Sequence, residues 1–372
     1  MDIAFVNRML GMIRGGGEIW DLRIAEQLEE LGINITFYVG KPLTSELSDP
    51  VEEFDTVEVP TPHLRELAYA APIGIGGVLY DLDSSFFRRR VVKELQDTDH
   101  DIIQVNSDPQ FGRFVDQFDR PIIVKMNGPP HSLWQDYIHP FSSSYDFFEK
   151  FDAVIATGVT TEKIQKRTGI DVHTINPGVN TEQFTPDNSE TEGKIILFVG
   201  RFVPAKNLTA LIRAFKQVRT NHPDVELVLV GDGPRRGRVE SKINTLGLND
   251  TVTFRGYVAN EDLPKYYRQS DIFVLSSRHE NHPITLLEAM SCGTAVIGPN
   301  IGWIPRIIDN EQNGLLFNSE DKLVSHLNRL LSDPDLRRQY GEYGRQKAVN
   351  GFDWGQRAIS LKTIYNDILL TD

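Results

Sequence analysis

The pattern that most restricts this chain is an alternation, run through twice, of short apolar stretches with segments whose apolar residues recur at helical spacing. Ile3 to Val6 reads as a buried strand. A loop through Gly15-Gly16-Gly17 follows it, then Ile19, Leu22, Ala25 and Leu28 repeat one turn apart, Gly32 closes the helix, and Ile33 to Val39 forms the next strand. Further strands are expected at Ile102 to Val105, Pro121 to Met126 and Ala153 to Ala156. A second series runs through strands at Ile195 to Val199, Leu227 to Val230, Val252 to Phe254, Ile272 to Leu275 and Ala295 to Ile297. Its helices are expected around Leu208 to Val218 and Arg238 to Leu246, with another opened by Pro283. Such alternation builds parallel sheets covered by helices on both faces. At 372 residues the chain exceeds one core. The polar stretch Pro186 to Gly193 marks a boundary, giving an α/β protein of two doubly wound, Rossmann-like domains, residues 1–185 and 186–353, that face a central cleft. Ligands of such sheets gather at the carboxyl ends of the strands.

One segment carries most of the functional information: Glu280-Asn-His-Pro-Ile-Thr-Leu-Leu-Glu288-Ala-Met-Ser-Cys-Gly293. Proline is tolerated in a first helical turn, so Pro283 places Glu280 in the preceding loop. Glu288 then lies about 7 to 8 Å along the axis at about 1.5 Å per residue. One ligand can touch both carboxylates. The unpaired N–H groups of the helix start carry partial positive charge, which suits an anion or a row of hydroxyls. A polyhydroxylated diphosphate has that chemistry.

The charge balance, 39 basic against 52 acidic residues for a net of -13, offers no general attraction to a polyphosphate backbone and speaks against nucleic acid as a partner. Anionic ligands therefore need a local pocket. The single cysteine, Cys292, excludes an intramolecular disulfide and reads as a small core residue. Neither a secretory leader nor an uninterrupted apolar run of membrane-spanning length is visible, so a cytoplasmic location is expected.

Five further stretches complete a pattern: Val199-Gly-Arg-Phe-Val-Pro-Ala-Lys206-Asn, Leu229-Val-Gly-Asp-Gly-Pro234, Val252-Thr-Phe-Arg-Gly256-Tyr-Val, Asn313-Gly-Leu-Leu-Phe317, and the Asn176 to Phe184 connection. With the glycine loop and the Glu280 segment, the chain resembles the family 4 glycosyltransferases of GT-B fold, from near residue 1 to near residue 355. The resemblance implies a retaining, metal-independent transfer of a hexose from a nucleotide diphosphate sugar, needing no cofactor, to a glycan or lipid-linked acceptor, as in polysaccharide or glycoconjugate biosynthesis. It implies that the first domain takes the acceptor and the second the donor. Arg201 and Lys206 would hold the diphosphate and stabilise the leaving group. Glu280, with Pro283 and the N–H groups near Asn281, His282 and Ile284, would hold the donor sugar. Glu288 would take the ribose hydroxyls, Gly256, Tyr257 and Val258 would lie at the base, and Gly15, Gly16 and Gly17 would approach the phosphates. A last helix, 354–372, would cross back onto the first domain.

Three positions depart from the family pattern. Asn127-Gly128-Pro-Pro-His131 replaces a His-Gly pair, so either Asn127 or His131 contacts the donor sugar; Arg306 stands where a glutamate is usual; and Asn207 replaces a glycine. Without the His-Gly pair, a nucleotide-sugar-binding protein that has lost catalysis is an alternative, as is a GT-B epimerase. Asp81-Leu-Asp83 resembles the metal-binding Asp-x-Asp of the other large glycosyltransferase fold, but its context is missing and no metal is expected. Finally, the nearly uncharged loop Leu67 to Leu82, followed by Phe86-Phe87-Arg88-Arg89-Arg90, suits peripheral contact with anionic lipid at the inner face of a membrane.

Overall fold

The structure is a computed structural model that describes residues 1–11, 16–42, 53–62, 73–128, 144–187, 194–280 and 282–370. It resolves into two compact units, Met1–Asn176 with Trp354–Asp372, and Pro177–Asp353.

Among the described residues of the first unit, seven parallel strands are ordered β3-β2-β1-β4-β5-β6-β7. They are β1 (Asp2–Asn7), β2 (Asn34–Pro42), β3 (Asp55–Thr61), β4 (Ile102–Asn106), β5 (Ile122–Met126), β6 (Ala153–Ala156) and β7 (His173–Thr174). The helices are α1 (Gly16–Glu30), α2 (Ile73–Gln96), α3 (Val159–Thr168) and the C-terminal helix (Trp354–Leu369). Strand alternation divides the core between two faces. Ile3 and Phe5 meet Trp20, Ile24 and Leu28 of α1 together with Trp354, Leu361 and Tyr365 of the C-terminal helix. Ala4 and Val6 meet Phe87, Val91 and Leu95 of α2 on the other side.

Two expectations change here. The division falls after Asn176 rather than after residue 185, because Val179 and Phe184 are buried in the second unit's core and Val179 N–H donates to Phe352 O at 2.8 Å. Residues from 73 onward form a helix, where the sequence suggested a loop as far as Leu82. Of the expected basic, aromatic patch, Phe87 is core and Arg88 is buried against Asp108 at 3.5 Å, leaving Phe86, Arg89 and Arg90 outside.

The second unit's sheet runs β10-β9-β8-β11-β12-β13. Its strands are β8 (Lys194–Val199), β9 (Val225–Val230), β10 (Val252–Gly256), β11 (Ile272–Val274), β12 (Ala295–Pro299) and β13 (Leu315–Phe317). Around it pack α4 (Leu208–Val218), α5 (Arg236–Leu246), α6 (Leu263–Arg268), α7 (Ile284–Ser291), α8 (Ile304–Ile307), α9 (Glu320–Ser332) and α10 (Pro334–Gly351). Strand order reverses between β8 and β11, which are hydrogen-bonded neighbours. Loops leaving these two strands diverge to opposite faces and leave the crevice in which doubly wound sheets bind ligands.

Candidate functional site

Both loops at that reversal carry expected site residues. The loop after β8 is anchored by the buried Phe202, whose N–H donates to Asp232 O at 2.8 Å and whose carbonyl accepts from Arg235 N–H at 3.0 Å. Arg201 is left exposed. A short 3-10 turn, Pro204–Lys206, then delivers Lys206. The loop after β11 grips it: Ser276 Oγ donates to Lys206 O at 2.7 Å and Arg278 N–H to Ala205 O at 2.7 Å.

Lys206 and Glu280 meet directly, Nζ on Oε1. Ser277 Oγ donates to the same Glu280 oxygen at 3.0 Å. With side chains 22% and 13% exposed, the pair is shielded enough for its charges to be felt and open enough for a ligand to reach it. Gly302, at φ 55°, lies against the Glu280 backbone so closely that a Cβ would stand 2.1 Å from Glu280 O, so only glycine leaves this loop undisturbed.

Glu288 is the fifth residue of α7 and is buried. Tyr267 of α6 donates its hydroxyl to Glu288 Oε2 at 2.6 Å. Burial, reinforced by the Glu288 carboxylate, pushes the Tyr267 hydroxyl well above its ordinary range, so it stays a donor. Pro283 caps α7 from outside in extended backbone instead of occupying its first turn, and Ile284 begins the helix. The His282 ring lies beside Phe352, with centroids 6.1 Å apart. Gly256 ends β10, its carbonyl accepting from Gly231 N–H at 2.6 Å, and Tyr257 beside it is 66% exposed, with Val258 half-buried. Cys292 is buried, which pushes its thiol up to about 12 and keeps it neutral.

Arg201, Lys206, Gly256, Glu280 and Glu288 thus all belong to the second unit. Gly16, Gly17 and Asn127 belong to the first, where Asn127 packs on Gly17 so tightly that a Cβ there would stand 2.6 Å from Nδ2. Gly15, His131 and Asn281 lie outside the described residues. Sequence reasoning missed Ser276, Ser277 and Tyr267. Two serines directly past an apolar strand end were a usable signal; Tyr267, 21 positions from its partner, offered none. Asp83 forms a buried ion pair with Arg8, and Arg306 is exposed over the Trp303 ring at 4.4 Å.

Residues 179–347 match the sequence profile of the family described as "Glycosyl transferases group 1". This stretch, a little under half of the chain, is similar to that family. Spore coat protein SA of Bacillus subtilis is 32% identical over 215 residues, covering 53% of this chain and 56% of that protein. N-acetyl-alpha-D-glucosaminyl L-malate synthase of Bacillus anthracis is 32% identical over 186 residues, 50% of this chain and 48% of that one. The chain spans about half the length of the curated relatives it matches. Among solved structures, sucrose-phosphate synthase from Thermosynechococcus elongatus superposes with a TM-score of 0.81 at 22% identity over 100% of both chains. Anabaena HepE in complex with UDP gives 0.80 at 18% identity over 99% of this chain and 100% of that one. The shared fold is GT-B.

Proposed function

We propose that this protein is a retaining glycosyltransferase that moves a sugar from a nucleotide diphosphate sugar to a glycan or lipid-linked carbohydrate acceptor, without a metal or other cofactor. The meeting of Lys206 with Glu280 at the β8–β11 reversal, beside exposed Arg201, carries this reading. A departing nucleoside diphosphate gains negative charge as the glycosidic bond lengthens. Two cations fixed by short loops stabilise that charge more in the transition state than in the ground state. Glu280, already oriented by Ser277, accepts hydroxyl protons of the donor sugar in hydrogen bonds, and Glu288, steadied by Tyr267, accepts those of the ribose. Asn127 is assigned a contact to the donor sugar, and Tyr257 offers an aromatic face to the base. HepE in complex with UDP-glucose, a neighbour in fold, supports a uridine donor as the first to try.

A thermal-shift panel of nucleotide sugars identifies the donor, since a ligand that binds only the folded form raises the midpoint with occupancy. Glu288→Ala is expected to weaken every donor, and Glu280→Ala to blur discrimination among sugars. Identical losses on all donors from both variants contradict this division of roles. Product anomeric configuration by NMR decides retention, and unchanged turnover after chelation decides metal independence.

A lipid-linked acceptor fits the outer face of α2. Leu82 and Phe86, 46% and 48% exposed, share a helix side with exposed Arg89, Arg90 and Lys93. Apolar groups beside local positive charge match an anionic bilayer. Cosedimentation with anionic vesicles is expected, and is expected to be lost in Phe86→Ser with Arg89→Ser and Arg90→Ser; failure of the unaltered protein to pellet at low salt removes the idea.

A further inference from the structure

Beneath the start of α1 the first unit buries an ion pair for which the proposed chemistry has no use. Lys125 Nζ lies 3.0 Å from Asp21 Oδ1, both side chains are fully buried, and the ammonium stands 3.6 Å from the centre of the Trp20 ring. The second Asp21 oxygen accepts from Asn7 Nδ2, and Asn7 Oδ1 accepts from Met9 N–H at 2.9 Å. Close by, Gln104 Nε2 donates to Asn106 Oδ1 at 3.1 Å, and Gln104 Oε1 accepts from the Tyr365 hydroxyl at 2.7 Å. Burial raises the Asp21 carboxyl and lowers the Lys125 ammonium to about 8, against which the Asp21 and Glu18 carboxylates act on the lysine.

A buried pair of this kind adds little stability, since an apolar pair of similar volume generally does as well. What it adds is direction. Packed methyl groups tolerate sliding, whereas a carboxylate bonded from two sides fixes position along the contact. Gly17 precedes Asp21 by one helical turn and lies on the same side of α1; Asn127 follows Lys125 by two residues, directly past the end of β5. Four helical residues rise about 6 Å and two strand residues about 6.6 Å, so the steps match. Asp21 on Lys125 and Gly17 on Asn127 are therefore successive rungs of the contact between α1 and the C-terminal end of β5. The second rung is close-packed, because Asn127 occupies the space that a Cβ on Gly17 would take. Ser107, held at φ 61°, accepts from Asn127 Nδ2 at 3.5 Å and donates its N–H to Lys125 O at 2.7 Å, tying the end of β4 to both rungs.

We propose that Asp21 and Lys125 are positioning residues, whose ion pair sets the register of α1 against β5 and so the seat of Gly17 against Asn127. The catalytic consequence rests on the proposed function, in which Asn127 meets the donor; the register itself does not.

The test compares Lys125→Met, the double variant Asp21→Leu with Lys125→Met, and Asp21→Glu. Each is assayed for thermal midpoint, for kcat and KM with the donor found for the unaltered protein, and for hydrogen exchange of the peptide spanning 16–22. Lys125→Met alone should lower the midpoint by stranding a buried carboxylate. The double variant should recover the midpoint, yet lose kcat by about tenfold to a hundredfold, the scale of a misplacement near 1 Å, and exchange faster at the start of α1. A double variant with unaltered kcat and exchange overturns the proposal. Should it fail to fold, Asp21→Glu decides: lengthening by one methylene should reproduce the kcat loss and the faster exchange, and unaltered values in it overturn the proposal equally. If the unaltered protein turns over no donor, the proposed function falls and exchange alone decides the register.

Discussion

Asn207 stands at φ 50° and ψ 37°, directly after Lys206 and at the mouth of α4. This left-handed conformation costs most side chains about 1 to 2 kcal/mol, and asparagine is among the few that visit it routinely. The residue thus meets a backbone demand that glycine would also meet. Asn207→Gly is expected to leave stability within about 0.5 kcal/mol, and Asn207→Ala to lose about 1 kcal/mol and to loosen the turn that presents Lys206. Urea unfolding of both variants checks this; an alanine variant as stable as the glycine variant contradicts the strain. The departure of Asn207 from the family pattern was legible in the chain, but its harmlessness was not, because a backbone angle is no property of a residue list. Tyr267 was illegible for another reason: its role exists only because α6 and α7 fold side by side.

Elements were readable where each apolar run had one meaning. All five strands expected in the second unit form within two residues of their expected ends. Reading failed where local signals opposed tertiary ones: Gly74, Gly76 and Gly77 look like breakers, yet Phe87, Val91 and Leu95, four apart and buried, hold α2 together from its other end. The edge strand β3 and the two-residue β7 have too little apolar pattern to announce themselves. What holds α7 in place was equally hidden. From α10, Arg345 NH1 donates to Thr181 O, Phe184 O and Ser291 O, each at 2.9 Å, and so binds the end of α7 to the segment that opens the second unit. Arg345→Ala leaves those carbonyls short of a donor, and a loss of about 2 to 3 kcal/mol is expected in urea unfolding, with donor binding weakened because α7 carries Glu288. A loss below about 0.5 kcal/mol would show that α10 and α7 cohere without the guanidinium.

At the scale of the molecule, the chain enters the first unit, leaves it after Asn176, and returns to it at Trp354. That return was expected only by family resemblance, since no pattern inside residues 354–369 says which sheet they cover. The structure supplies the cause: Trp354 meets Trp20 edge-on with ring centroids 6.4 Å apart, while Ala358, Leu361 and Tyr365 are fully buried against α1 and the strands beneath it. Lys362 adds a bond to Leu31 O at 2.8 Å. At roughly 1.5 to 3 kcal/mol for each large side chain, the helix contributes on the order of 5 to 10 kcal/mol, comparable to the whole stability of an ordinary domain. The second unit closes without it, through Val179 N–H on Phe352 O and Thr181 Oγ1 on Asp353 Oδ2 at 2.9 Å. A chain ending at Asp353 should therefore keep 177–353 folded and lose the fold of 1–176. Limited proteolysis followed by mass spectrometry reads this directly: rapid digestion confined to the first unit is the expected result, and equal protection of both would mean that α1 and its sheet are stable without the returning helix.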